Sequence, residues 1–270
     1  MKGIIYYFSG TGNNYMLAKD LSLLLPSTET RPMRFLPEDK EKLTGYDLIG
    51  FCVPSYYSHV PAAVKMYLEG ARFSREQIIF TVIGCGSSRG RSTEELRERI
   101  EAGGGVVKNE YLVVSPGNFI LSYGALPKIY ERTVLRSSKK KVVKIAREVT
   151  DKGNTRRLKK APLFFESQEP AVRKILAAFP RKAMEYSVSD RCVGCGICAG
   201  VCPVGNIRIE DNRPVFDANC QQCMACIQWC PNRAIDYKNI AASRKRYHHP
   251  AITVQELIGE QRNRVNLSEV

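Results

Sequence analysis

Eight of the ten cysteines lie between Cys192 and Cys230, in two groups with the same spacing, C-x2-C-x2-C-x3-C, each followed directly by proline. The eight residues are Cys192, Cys195, Cys198, Cys202, Cys220, Cys223, Cys226 and Cys230. In a compartment that keeps thiols reduced, clustered cysteines point to metal ligation rather than to disulfides. The pattern therefore predicts a metal-binding module near the C-terminus.

The second cysteine group repeats the first 28 residues later, as do the prolines and the isoleucine pair Ile207 and Ile235. The sequence therefore contains an internal duplication. Three thiolates in one tight loop can each bind one iron of a four-iron cube, while the fourth, beyond a turn, reaches a second cube. The spacing predicts one 4Fe-4S cluster on Cys192, Cys195, Cys198 and Cys230, and another on Cys220, Cys223, Cys226 and Cys202.

Zinc is the alternative metal for so many cysteines. Structural zinc sites usually take two ligands from each of two separated knuckles, whereas here four ligands follow one another in a single stretch, twice. The module instead resembles the bacterial two-cluster ferredoxin, over about residues 186–237.

The N-terminus combines an apolar run of strand length, Gly3–Phe8, with the turn-rich stretch Ser9–Asn14 and a predicted helix over Tyr15–Leu25. A strand, a glycine-and-hydroxyl loop and a helix together form a cradle for phosphate, because backbone amides and the helix N-terminus face the anion. The loop has no lysine and does not fit G-x-G-x-x-G, so neither a nucleoside triphosphate nor a dinucleotide is favoured. A helix-capping turn that binds nothing is the alternative.

Further strand-like runs at 47–53, 77–84 and 106–115 alternate with helical stretches near 61–69 and 93–100. This alternation predicts an α/β fold with a doubly wound parallel sheet. Ligands bind such a sheet at the carboxyl ends of its strands, so we expect the loops 54–61 and 84–90 to converge with the first loop.

At this point the N-terminal half resembles the flavodoxin fold, which implies FMN as the ligand. By this resemblance the phosphate contacts are Ser9, Thr11, Gly12, Asn13 and Asn14. The ring is bordered on one side by Pro54, Ser55, Tyr56, Tyr57 and Ser58, and on the other by Gly84, Cys85, Gly86, Ser87 and Ser88. Either Tyr56 or Tyr57 could stack on the ring. The second loop lacks the tryptophan frequent in flavodoxins, which leaves the stacking residue open.

The two halves together resemble the flavodoxin-ferredoxin fusion ferredoxins of anaerobic bacteria and archaea, and the stretches Ser115–Phe119 and Arg246–Pro250 also look like theirs. The resemblance implies a flavodoxin-like FMN-binding domain over 1–152 and a smaller α+β ferredoxin domain with two 4Fe-4S clusters over 186–238. Between them lies a basic connector, 153–185, and a C-terminal tail follows at 239–270. Cys52 and Cys85 are expected to be small buried side chains rather than redox thiols.

The net charge of +14 is concentrated in residues 123–182, which carry 17 basic and 5 acidic side chains. One interpretation is that this charge offsets the anionic cofactors. The other is a docking face for an acidic redox partner such as a ferredoxin, since complementary charge speeds encounter. Nucleic acid is not favoured, because the basic run has no recognised nucleic-acid-binding fold.

The first residues contain only a short apolar run with no cleavage site for secretion, and no apolar stretch is long enough to span a bilayer. We therefore expect a cytoplasmic protein without a membrane span.

The predicted function is electron transfer between one-electron ferredoxin-type carriers and two-electron flavin chemistry, with no catalytic side chain. The alternatives are an FMN-dependent reductase of a quinone, nitro compound or disulfide, and a cluster-containing sensor or binding module. A homodimer stays open. The three histidines, His59, His248 and His249, are expected to pack rather than to catalyse.

Overall fold

The computed structural model describes residues 1–262 apart from 34–42, 44, 152, 163 and 166–168. By its internal contacts the chain divides into two compact units. The first unit comprises Met1–Phe8, Asn14–Pro116 and Pro127–Val172; the second comprises Ser9–Asn13, Gly117–Leu126 and the chain from Arg173 onward. The domain borders expected from the sequence stay predictions. Residues 163 and 166–168 of the expected connector, and 263–270 of the expected tail, lie outside the described residues.

The first unit is built on a five-stranded parallel sheet with the order β2-β1-β3-β4-β5. Its strands are β1 (Gly3–Tyr7), β2 (Thr28–Pro32), β3 (Leu48–Pro54), β4 (Ile78–Cys85) and β5 (Val107–Val114). This order is that of the flavodoxin-like doubly wound fold. Every residue of β1 and β3 is buried, as expected for inner strands covered on both faces. The predicted fold class is confirmed.

The helices of the first unit are α1 (Asn13–Leu24), α2 (Ala62–Tyr67), α3 (Ser92–Ala102) and α4 (Lys128–Thr150). The first three lie within about two residues of the helices predicted from the sequence. Strand β2 was not predicted, because its sequence, TETRP, is polar and only its last residue is buried.

The described residues of the expected connector up to Val172 belong to the first unit, and the rest belong to the second. Arg156 forms a parallel β-bridge with Asn109. The Arg156 carbonyl accepts a hydrogen bond from the Glu110 amide at 2.8 Å. The Glu110 carboxylate in turn accepts from the amide of Leu158 at 2.8 Å. This basic segment therefore runs along the edge of β5, and the helix α5 (Glu169–Lys182) follows.

The second unit repeats a strand–helix–strand pattern. The first copy is β6 (Tyr186–Val188), α6 (Ile197–Gly200) and β7 (Ile207–Glu210); the second is β8 (Arg213–Phe216), α7 (Ala225–Trp229) and β9 (Ile235–Tyr237). Strand β6 pairs antiparallel with β9, and β7 with β8. Each copy thus pairs its strands with those of the other, as expected from the 28-residue duplication. The helix α8 (Val254–Arg262) ends the described chain. None of the helices in the described part of the chain is long and apolar enough to cross a membrane.

Candidate functional site

Two cavities in the second unit are each lined by four cysteines. The first has a volume of about 370 Å³, including its opening to solvent, and is lined by Cys192, Cys195, Cys198 and Cys230. The second, about 340 Å³, contains Cys202, Cys220, Cys223 and Cys226. The structure thus brings together the two sets that the spacing predicts, and the fourth cysteine of each group lies in the cavity of the other. Two cavities of nearly equal size fit two copies of the same group.

Backbone amides face several of the cysteine sulfurs. The amide of Asn206 donates to the Cys202 sulfur at 3.2 Å, and the amide of Ala234, 28 residues later, donates to the Cys230 sulfur at 3.3 Å. Such donors stabilise a thiolate and tune the potential of a bound cluster.

Burial raises the pKa of the Cys198 thiol to about 11, and it also raises the pKa of Cys220, Cys223 and Cys226. Bare thiols in these cavities would keep their protons at neutral pH, whereas coordination to a metal removes them. Within the described residues, no three His, Cys, Asp or Glu side chains converge closely enough to hold a single metal ion. A four-iron cube takes one thiolate at each iron, so its ligands surround a wider space.

Of the predicted phosphate loop, Ser9–Asn14, the residues Ser9–Asn13 belong to the second unit and Asn14 belongs to the first. The Gly10 carbonyl accepts a hydrogen bond from the indole Nε1 of Trp229 at 3.0 Å. A Cβ added at Gly10 would lie 2.7 Å from the carbonyl oxygen of Cys223 and 3.3 Å from its sulfur. The loop therefore packs directly against one of the cysteines of the second cavity.

Two side chains of the same loop are held by residues far away in the sequence. The Thr11 hydroxyl accepts from the amide Nδ2 of Asn118 at 2.7 Å, which leaves its own proton to donate. The Asn13 carbonyl Oδ1 accepts from the hydroxyl of Tyr247 at 2.7 Å. No sequence pattern assigns a role to Asn118 or Tyr247, and their stretches, S-P-G-N-F and R-Y-H-H-P, are distinctive only through the family resemblance.

In the first unit, the ends of β3 and β4 meet at the carboxyl edge of the sheet, where the Ser55 amide donates to the Gly84 carbonyl at 3.1 Å. A Cβ at Gly84 would lie 2.2 Å from Oδ1 of Asn14, so only glycine leaves room for that side chain. The same Oδ1 is buried and has no hydrogen-bond partner among the described residues. An unsatisfied polar atom at this edge fits a bound polar ligand.

The loop after β3 makes a tight turn in which the backbones of Tyr56 and His59 exchange two hydrogen bonds, of 2.8 and 3.0 Å. The two central residues, Tyr57 and Ser58, have φ of 49° and 66°, a left-handed conformation that non-glycine residues rarely adopt. Tyr57 is exposed at the tip of the turn. Strain of this kind is retained where surrounding contacts enforce it, as at ligand-binding loops.

Glu95 supplies those contacts. Its carboxylate accepts from the His59 ring at 2.8 Å, from the Lys65 ammonium at 2.8 Å and from the Val60 amide at 2.9 Å. Burial alone would raise the pKa of the Glu95 carboxyl, but these donors outweigh it and lower the pKa to about 2. His59 therefore holds the turn through a permanently ionised carboxylate.

The loop after β4 divides into a buried start and an exposed tip. Cys85 is buried and burial raises the pKa of its thiol to about 11, whereas Gly86, Ser87 and Ser88 are exposed. Cys52 is also buried, which raises the pKa of its thiol well above the ordinary range. A thiol with a raised pKa is a poor nucleophile, so neither cysteine has the character of a redox thiol.

Residues 184–231 match the family of 4Fe-4S dicluster domains. Over 51 residues the chain is also 35% identical to the polyferredoxin protein MvhB of Methanothermus fervidus, a match that covers 19% of this chain. The chain spans only 12% of the length of that relative.

The N-terminal part is similar to several solved flavoproteins. The flavodoxin of Streptococcus pneumonia TIGR4 is 12% identical with a TM-score of 0.44, over 56% of this chain and 99% of that one. A flavodoxin from the domain Archaea is 16% identical with a TM-score of 0.37, over 55% and 99%. A flavoprotein of Lactobacillus acidophilus NCFM in complex with FMN is 13% identical with a TM-score of 0.34, over 41% and 92%. The fold assignment itself rests on the strand order.

The chain is therefore an iron-sulfur protein that joins a flavodoxin-like domain to a 4Fe-4S dicluster domain. It carries two 4Fe-4S clusters.

Proposed function

We propose that this protein transfers electrons between an FMN and its two 4Fe-4S clusters, and so links one-electron carriers to two-electron flavin chemistry. The observation that carries the proposal is the contact between Gly10, in the predicted phosphate loop, and Cys223, in the second cysteine cavity. Flavin accepts two electrons and releases them singly, while each cluster passes one. Contact between the two binding segments supports direct exchange within the chain.

The cluster ligands in this proposal are the two sets of cysteines that line the cavities. Cys192, Cys195, Cys198 and Cys230 hold one cluster, and Cys202, Cys220, Cys223 and Cys226 hold the other. Ligation by thiolates suits a compartment in which thiols stay reduced, such as the cytoplasm.

The FMN contacts in this proposal are the loops that the sequence predicts. Ser9, Thr11, Gly12, Asn13 and Asn14 bind the phosphate, and the loops 54–58 and 84–88 border the ring. The Thr11 hydroxyl can donate its proton to the phosphate, and the unsatisfied Oδ1 of Asn14 can accept a hydrogen bond from a hydroxyl of the ligand. We assign ring stacking to Tyr57 rather than Tyr56, because Tyr57 is exposed at the tip of a strained turn that Glu95 and His59 hold in place.

Anaerobic reconstitution with iron, sulfide and FMN tests the proposal. We expect about eight irons, about eight sulfides and one FMN for each chain. The Tyr57→Ala variant should keep its iron but bind FMN at least tenfold more weakly, while Tyr130→Ala, at an equally exposed tyrosine, should bind FMN normally. A native chain with both clusters and no bound FMN would rule the proposal out.

A further inference from the structure

The two cluster cavities differ at positions that the duplication makes equivalent. Tyr186 lines the second cavity, and the residue 28 positions later, Pro214, lines the first. A hydroxyl group in one cavity is thus replaced by an apolar ring in the other. The ligand sets are the same, so any difference between the clusters comes from such neighbours.

The Tyr186 hydroxyl is buried beside the Cys220 sulfur and the Gln222 side chain, and it interacts with both. Its ring is fixed by edge-on contacts with Phe216 and Tyr237, at centroid distances of 5.5 and 5.7 Å. A hydroxyl beside a thiolate sulfur can donate a hydrogen bond to it. Cys220 lines the second cavity together with Tyr186, so this hydroxyl faces a ligand of the predicted cluster.

Gln222 is a second difference. Its side-chain Nε2 donates to the sulfur of Cys220 at 3.4 Å, and its backbone amide donates to the same sulfur at 3.3 Å. The equivalent residue of the first copy is Gly194, and both have left-handed φ, 51° for Gln222 and 67° for Gly194. Glycine adopts this conformation without strain, whereas glutamine does not. The second copy therefore accepts strain at a position where its side chain reaches a cluster ligand.

We propose that Tyr186 and Gln222 donate hydrogen bonds to the sulfur atoms of the cluster in the second cavity and raise its reduction potential. Reduction adds one electron to the cluster, and a donor at sulfur stabilises the extra negative charge. The other cluster faces Pro214 and Gly194 at these positions and receives neither bond. This inference depends on the clusters alone and holds whether or not the protein binds FMN.

Cys230, one of the cysteines of the first cavity, interacts electrostatically with Arg246. The three guanidinium nitrogens of Arg246 are buried with no hydrogen-bond partner among the described residues. Burial lowers the pKa of this guanidinium, while Asp236 and Cys230 oppose the effect. A buried cation also favours a reduced cluster, so the two cavities are tuned by different groups. Tyr186 and Gln222 therefore raise the potential of the second cluster whichever of the two clusters has the higher potential.

The test is a redox titration of the full, reconstituted chain, followed by EPR, in Tyr186→Phe and Gln222→Gly. Both variants are conservative, since the first removes one oxygen atom and the second restores the residue of the other copy. We expect one of the two reduction potentials to fall in each variant, the same one in both, at unchanged iron content. The double variant should lower that potential further.

The matched control is Tyr237→Phe. Tyr237 is equally buried, but its hydroxyl donates to the Glu185 carboxylate at 3.0 Å. Its loss should leave both potentials unchanged. The inference is wrong if neither potential falls in Tyr186→Phe and Gln222→Gly, or if both potentials fall together as they would after a general loosening of the fold.

Discussion

Gly10 is a residue at which no side chain fits. A Cβ there would lie 2.7 Å from the Cys223 carbonyl oxygen and 3.0 Å from the Cys223 Cβ. We expect Gly10→Ala to displace Cys223, because overpacking of a tight contact costs about 1 to 3 kcal/mol. Iron bound after reconstitution should then fall from about eight to about four for each chain.

The control is Gly259→Ala in the same unit, where an added Cβ meets no atom within 4 Å among the described residues. This variant should bind iron like the native chain. Full iron content in Gly10→Ala would show that the loop is not fitted to Cys223 as closely as the geometry indicates.

Glu95 is the second residue with a large expected effect. It accepts three hydrogen bonds, two of them from His59 and Lys65. Because its pKa is lowered to about 2, its contribution to stability is complete above the ordinary carboxyl pKa and is lost as the pH falls toward about 2. At pH 7 we expect Glu95→Gln to cost about 2 kcal/mol, since bonds to a charged group are replaced by weaker ones. The thermal unfolding midpoint should fall by roughly 5 °C.

The matched control is Glu98→Gln in the same helix, since Glu98 is exposed and its ion pair with Arg91 is long, at 3.9 Å. Surface pairs of this kind contribute about 0 to 1 kcal/mol, so the midpoint should hardly move. An equal loss in both variants would mean that the helix, rather than the Glu95 network, sets the stability.

At the scale of elements, the segment Arg246–Pro250 fixes the predicted phosphate loop. The Tyr247 hydroxyl donates to Asn13 at 2.7 Å, and the His249 amide donates to the Thr11 carbonyl at 2.8 Å. We expect Tyr247→Phe to weaken FMN binding by about five- to tenfold, since loss of one hydrogen bond to the loop costs about 1 kcal/mol. Titration of FMN fluorescence with the protein measures this change.

Tyr46→Phe is the control for this prediction, because its hydroxyl donates to Glu29 at 2.6 Å, a bond that involves none of the predicted FMN residues. Its FMN affinity should equal that of the native chain. If Tyr247→Phe binds FMN as tightly as the native chain, the segment holds the loop without affecting the ligand.

Local sequence patterns explain which elements and which cysteine sets could be predicted from the sequence. Strands β1, β3 and β4 are continuous apolar runs, so their position and parallel arrangement follow from local pattern. The cysteine spacing likewise predicts which four cysteines bind each cluster, because it is a local pattern. Asn118 and Tyr247 contact the loop across 107 and 234 residues of sequence, and no local pattern encodes contacts at that range. Strand β2 was missed because an edge strand needs no apolar run.

The net positive charge of the whole molecule is concentrated partly on α4, where basic side chains lie along one exposed face. Seven basic residues of this helix are exposed: Lys128, Arg132, Arg136, Lys139, Lys140, Lys144 and Arg147. Their spacing places them on one side, opposite the buried residues Val142, Ile145 and Val149. Two of them pair with acidic neighbours, Lys128 with Glu131 at 2.8 Å and Lys144 with Glu148 at 3.6 Å. The face is therefore suited to an acidic partner such as a ferredoxin, which we propose docks there.

This proposal predicts how neutralising the face affects electron exchange. Replacing Lys139, Lys140 and Lys144 by glutamine should slow reduction by an acidic ferredoxin about tenfold at low salt, because electrostatic steering raises association rates by about 10 to 1,000-fold. Stopped-flow rates at several salt concentrations should converge for native and variant chains as screening removes the steering. The matched control replaces Lys2, Lys238 and Lys245, which are also exposed, by glutamine and changes the net charge equally. If both triple variants slow the reaction to the same extent, net charge alone sets the rate and α4 is not the docking face.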